Sequence, residues 1–222
     1  MIAINRKTVR ISLVAVLLLL IAASHFGPLA GITFIFTLDQ SGSVPVWFES
    51  FLYLICAGLL ALAAFSRKAA NQAGGWRWGV FSLFMLYLSV NSSAEINRRV
   101  VGKLTRWTWG IGGSFFDLMI FLLLAATLIV ILWPELSRLP ACIRWEMFLA
   151  GLVFGIGAIV VDDLGDLLFQ GSNEWFYMIE SLFELSAFII LIDALIAYLA
   201  EESGTITLNF RNATPDTPEE GG

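Results

Sequence analysis

Charge is scarce in this sequence. Asp, Glu, Lys and Arg make up 14% of its 222 residues, where a soluble domain carries about 25%, and 58% of the chain is hydrophobic. A water-soluble surface cannot be assembled from so few solvating side chains. Histidine is present once, at His25, which excludes metal sites built on several imidazoles and leaves no base for a hydrolytic triad. The two cysteines, Cys56 and Cys142, have no CxxC spacing; one falls in an apolar run and the other in a loop, so neither a disulfide framework nor a thiolate metal centre follows. No serine sits in a nucleophile elbow. The glycines of "GIGG" at 110–113 follow no strand and give a nucleotide loop no support. Nucleic-acid binding needs a broad solvated basic surface, and the sequence offers only one short basic loop.

What the chain does have is long apolar runs. Six segments, about 11–37, 44–65, 78–96, 115–133, 146–162 and 175–200, approach the roughly 20 residues that cross a bilayer. In lipid the backbone must satisfy its own hydrogen bonds, so such runs are helices. The expected fold is an all-α membrane bundle of six transmembrane helices with short loops. A basic segment precedes it at 1–10, and a tail follows at 201–222, disordered from about 212, where Pro, Thr, Glu and Gly dominate. The opening "MIAINRKTVRISLVAVLLLLIAAS" has the basic and apolar parts of a signal peptide, but apolar sequence continues to Leu38, and it is read here as an uncleaved first span. All eight tryptophans fall at or beside span ends, the headgroup level that this residue prefers.

Orientation follows from Lys and Arg. With the N-terminus inside, Arg6, Lys7, Arg10, Arg67, Lys68, Arg77, Arg138, Arg144 and Arg211 are cytoplasmic, which obeys the positive-inside bias. Arg98, Arg99, Lys103 and Arg106 are left in an external basic loop, suited to an anion, a lipid headgroup or a docking partner. The cellular location expected is a bacterial inner membrane, with both termini in the cytoplasm.

Threaded through this topology, several acids reach one outer level: Glu49, Glu95, Asp117, Asp162, Asp163, Asp166, Glu180 and Glu184. Glu184 lies roughly 13 Å below Trp175 at about 1.5 Å per residue. A charge at that depth costs on the order of 2.5–3.5 kcal/mol, so it must be paired, protonated or bound to a cation. Glu180 sits one turn above it on the same face, where like charges repel. Glu95, Asp117, Asp162, Asp166, Glu180 and Glu184 form, with Asn91, a candidate intramembrane polar cluster; interhelical salt bridges or hydrogen bonds explain it as well as ion binding does. Glu49 reads as an interfacial acid, and Asp193, near the inner end, as one that reaches water or a polar contact. His25, beside Ser24 and the Pro28 kink, is a candidate single ligand or an interhelical hydrogen-bonding group. Gly151 and Gly155 in the fifth span make a small-xxx-small face for close helix contact. No cofactor is identified.

The segment "LYLSVNSSAEINR", together with "GAIVVDDLG" and "MIESLFE", resembles uncharacterised bacterial multi-pass membrane proteins in which a span ends in L-S-x-D-E, H-E follows four residues later, and the last span opens with E-E-x-x-E. The resemblance covers about residues 78 to 200. Asn91, Ser92, Asn97 and Arg98 stand at its D, E, H and E positions, so a site built there in the family is replaced by neutral and basic groups. It implies a fold and no reaction. The function expected is a non-enzymatic scaffold, assembly or regulatory subunit, in contact with lipid, other membrane subunits or its own copies and with no nucleic acid. The alternative is a small oligomeric proton- or cation-coupled transporter or channel.

Overall fold

The computed structural model describes residues 6–26, 43–94, 114–157 and 174–203. Among them are six α-helices and no strand: α1 (Arg6–Phe26), α2 (Val44–Ala69), α3 (Gly75–Ala94), α4 (Ser114–Leu136), α5 (Ala141–Gly155) and α6 (Glu174–Ser203). Three are long and apolar enough to cross a membrane, over Arg6–Ser24, Val44–Ala69 and Met178–Glu202.

The helices run further into charged sequence than hydropathy alone implies. Arg6 and Arg10 belong to α1 rather than to a segment before it, and Arg67 and Lys68 form the last turn of α2, where cations complement the carbonyl end of the helix dipole. Pro45 opens α2 at a position where its missing N–H is not needed. α5 ends at Gly155 and passes into a single wider turn at Ile156 and Gly157.

α6 is the axis of the bundle. It packs against α1, α2 and α5, and α2 packs most extensively on α3, while α4 touches α3 only lightly. Its faces supply much of the core: Leu185, Phe188, Ile192, Ala194, Leu195 and Leu199 are buried, against Leu52, Cys56, Leu60 and Ala63 of α2 and Ile143, Met147 and Ala150 of α5. The Phe188 ring meets Tyr53 edge-on at 4.4 Å and Phe154 at 5.3 Å, locking three helices together. The outer surface is apolar, with Ile11, Leu18, Leu19, Leu83, Leu123 and Val130 exposed. Such a surface is compatible with lipid as its solvent.

α2 and α3 form a close antiparallel hairpin through residues 70–74. Small residues allow the approach: a Cβ on Gly75 would lie 3.0 Å from the Ala64 carbonyl oxygen. Gly74 takes φ +99°, a left-handed conformation that a side chain resists. A Cβ on Gly151 or Gly155, expected at a helix contact, would meet no atom of the described residues within 4 Å. Gly157 is the glycine at a close crossing, where a Cβ would meet that of Phe183 at 2.8 Å.

Four of the tryptophans, Trp47, Trp76, Trp133 and Trp145, are exposed near helix ends, where the expected belt requires them. Trp47 and Arg67 are 20 residues apart on α2, or about 30 Å, the thickness of a hydrocarbon core. Trp78 departs from the expected belt. It is buried and stacked on Tyr198 at 5.0 Å, because α3 turns that face toward α6.

Candidate functional site

Two polar constellations occupy opposite halves of the bundle. The first is ionic. Arg67 at the end of α2 bridges Glu135 of α4 and Glu202 of α6, the latter at 3.1 Å. Glu135 has no exposed surface, and its other oxygen accepts from Arg77 of α3 at 2.6 Å, with Arg138 a further 3.7 Å away. A carboxylate so buried is tolerable only with this density of donors. Gly74 makes room for it, since any Cβ there would collide with the Glu135 carboxyl. Trp78 and Tyr198 wall this network beside Glu202.

About 14 Å further up α6, nine residues at 1.5 Å each, a second arginine repeats the device. Arg6 of α1 holds both oxygens of Asp193 on α6, at 2.8 and 2.9 Å, and Glu146 of α5 at 2.7 Å. Arg10 adds a contact to Asp193 at 3.6 Å. Asp193 is therefore buried and paired through helix contacts rather than led out to water. In each tier one arginine joins an acid of α6 to an acid of a second helix, and together the two tiers connect all six helices.

The second constellation is built from hydroxyls. Ser50 of α2 donates to the Ser89 carbonyl of α3 at 2.7 Å, and Ser89 donates back to the Ser50 carbonyl at 2.9 Å. The Ser93 hydroxyl lies 2.6 Å from that of Ser50. Glu49 receives Tyr53 OH at 2.7 Å and Ser92 Oγ at 3.2 Å, one donor on each oxygen. No described cation lies within ion-pair distance of it. Glu184 lies near the same tyrosine.

The expected cluster is described in part. Asn91, Glu180 and Glu184 are half-buried, and all three engage other groups. Glu180 and Glu184 flank the crossing at Gly157, whose Cβ would lie 3.5 Å from Glu184 Cγ. His25 and Asp117 lie on α1 and α4, their side chains outside the described residues. Glu95, Asp162, Asp163 and Asp166, and the basic loop of Arg98, Arg99, Lys103 and Arg106, also lie outside the described residues. No group of three or more His, Cys, Asp or Glu suited to a metal occurs among those described.

Sequence reasoning passed over Glu135, Glu146 and Glu202, and read Glu49 as interfacial only. The signal was there. Threading cations and acids together, rather than acids alone, places Glu135, Glu146, Asp193 and Glu202 at the same end as Arg6, Arg67 and Arg77. Compared with known proteins, the chain matches no family model, no curated protein and no solved structure.

Proposed function

We propose that this is a six-span protein of a bacterial inner membrane, with its ion-paired end and both termini in the cytoplasm, acting without catalysis as an assembly or regulatory subunit. Three apolar helices support membrane residence. The two arginine tiers support six alternating spans, because α1, α3 and α5 contribute residues near their starts while α2, α4 and α6 contribute residues from their later halves. The described cations also gather at this end, as positive-inside topology requires of a cytoplasmic face.

The observation that carries the assembly reading is α4. It is strongly apolar, is held lightly by α3 and pinned at its end by Glu135, and exposes Leu123, Ile129, Val130 and Trp133. Among the described residues its contacts are few, and the apolar face it exposes suits a partner helix or a second copy. Native mass spectrometry of the gently solubilised full chain tests this. The expected result is a complex above 24.5 kDa that Val130→Trp dissociates; a bare monomer in the mildest detergents overturns it.

A second reading, ion-coupled transport, draws on Glu49. An intramembrane carboxyl served by Tyr53 and Ser92 hydroxyls, with Glu184 near the same tyrosine, is a group that can pass a proton or cation. In proteoliposomes, proton or sodium flux that Glu49→Gln and Glu184→Gln each abolish would favour it over assembly. Absence of flux in the unaltered protein would remove it.

A further inference from the structure

Between Trp133 and Glu146 the sequence places two acids and two arginines, Glu135, Arg138, Arg144 and Glu146, a balanced set. The fold unbalances it. Glu135 is taken by Arg67 and Arg77 from α2 and α3, and Glu146 by Arg6 from α1. Arg138 is left as the most distant partner of Glu135, with 62% of its side chain exposed. Arg144 has no acid within ion-pair distance among the described residues. Its guanidinium folds back across the turn at 137–140, Nη1 lying 3.4 Å from the carbonyl of Ser137, the residue that precedes Arg138. One weakly paired guanidinium and one with no described acid thus flank a single short turn.

Their surroundings are amphipathic. Trp133 and Trp145, each 64% exposed, flank the turn. Trp145 is braced edge-on by Phe148 at 5.6 Å, and Val130 continues the apolar face one turn above Trp133. We propose that this turn binds the phosphate of an anionic membrane phospholipid, with Arg138 and Arg144 donating to its oxygens and the tryptophan faces lying along the headgroup boundary. The planar fork of arginine matches phosphate oxygens in pairs. Tryptophan favours the depth at which that phosphate lies. Free phosphate offers the same oxygens but has no use for the aromatic and aliphatic walls. The proposal rests on the membrane placement above and not on the assembly reading.

The test uses the full chain reconstituted in vesicles of equimolar phosphatidylglycerol and phosphatidylcholine, then released for native mass spectrometry of retained lipid. Retention of phosphatidylglycerol over phosphatidylcholine by roughly tenfold or more is expected, from about one basic-residue increment for each arginine. The double variant R138Q/R144Q brings the ratio close to parity, whereas Lys68→Gln, a basic change at the same end but on α2, leaves most of it. Equal retention of the two lipids by the unaltered protein overturns the proposal without any variant being needed. So does an unchanged preference in a double variant that melts normally. If inorganic phosphate strips the bound lipid without competing lipid present, the turn is a free-anion site and the lipid assignment is overturned. Failure to enter vesicles at all overturns the membrane placement instead.

Discussion

At one end of α2, Arg67 reaches into a network of four arginine–carboxylate contacts shared by four helices; some 27 Å away at the other end, 18 residues at 1.5 Å each, Glu49 and Ser50 are held by hydroxyls from α2 and α3. Both constellations join helices, but in different ways. Buried ions attract strongly and carry a desolvation cost that only complete pairing offsets, so each removal exposes an unpaired partner. Serine hydroxyls cost little to bury, since each can fall back on a carbonyl of its own helix, and they contribute correspondingly little. The ionic end is therefore where the fold is vulnerable to a single change. The hydroxyl end is where polar groups can be rearranged cheaply, as ion passage or ligand exchange would require.

The largest effect is expected from Glu135→Ala. Arg67, with 11% of its side chain exposed, would keep only Glu202, and Arg77 would lose its only described ion-pair partner. Breaking a buried pair from one side costs about 3–5 kcal/mol. Thermal unfolding in detergent should show a marked fall in midpoint or a failure to accumulate. A loss below about 1 kcal/mol would mean that water or lipid headgroups already solvate this end. Gly74→Ala approaches the same network from the backbone: the added methyl both strains a positive φ and displaces the Glu135 carboxyl. About 1–3 kcal/mol is expected from the conformation alone, and the combined variant Gly74→Ala with Glu135→Ala should lose less than the sum, because the clash then has no carboxyl to meet.

Asp193→Asn weakens the upper tier and should cost less. Arg6 is 38% exposed and keeps Glu146 at 2.7 Å, and the amide still accepts one hydrogen bond. A loss of about 1–2 kcal/mol is expected from a weakened charge-assisted bond that is partly open to solvent. The measurement is a denaturant or SDS titration followed by tryptophan fluorescence. An effect equal to that of Glu135→Ala would show that the two tiers act as one cooperative unit rather than as separate ties.

Helix existence was legible because it depends on runs of 15 or more apolar residues, and a helix is the element that satisfies its backbone within one such segment in lipid. Helix ends were less so. Arg6 and Arg67 lie inside helices because tertiary partners reward their placement there, and hydropathy penalises the same residues. The ion pairs join residues separated by 187, 140 and 68 positions, and nothing local marks Glu135, set between Pro134 and Leu136, as buried. Which glycine meets a neighbour was also illegible: Gly151 and Gly155 carry the expected spacing, yet the rotation of α5 about its axis presents Gly157 to α6. The same limit hid Trp78, whose position at a helix end suggests an interface while its facing, set by Tyr198, buries it. Spacing gives the period of a helix and leaves its rotation to packing.

The smallest effect, and the one that most sharpens the contrast, is Ser50→Ala. The hydroxyl donates to the Ser89 carbonyl, but a helical carbonyl also accepts from its own chain four residues on, so its removal leaves no orphaned acceptor. Ser89 Oγ still donates to the Ser50 carbonyl, which the substitution retains, and Ser93 Oγ still donates to the Ser89 carbonyl at 3.1 Å. The contacts of the Ser50 hydroxyl with Ser89 and Ser93 are lost, but each partner keeps another bond, and intramembrane bonds of this kind average about 0.6 kcal/mol. Ser50→Ala should therefore shift the unfolding midpoint barely at all, and with Ser89→Ala the sum should stay near 1 kcal/mol. If the pair instead cost as much as Glu135→Ala, the hydroxyls would be carrying the α2–α3 contact in earnest, and polar rearrangement there would be expensive. A near-silent result for stability, combined with a large change in flux or partner retention, is the outcome that would place function at the hydroxyl end.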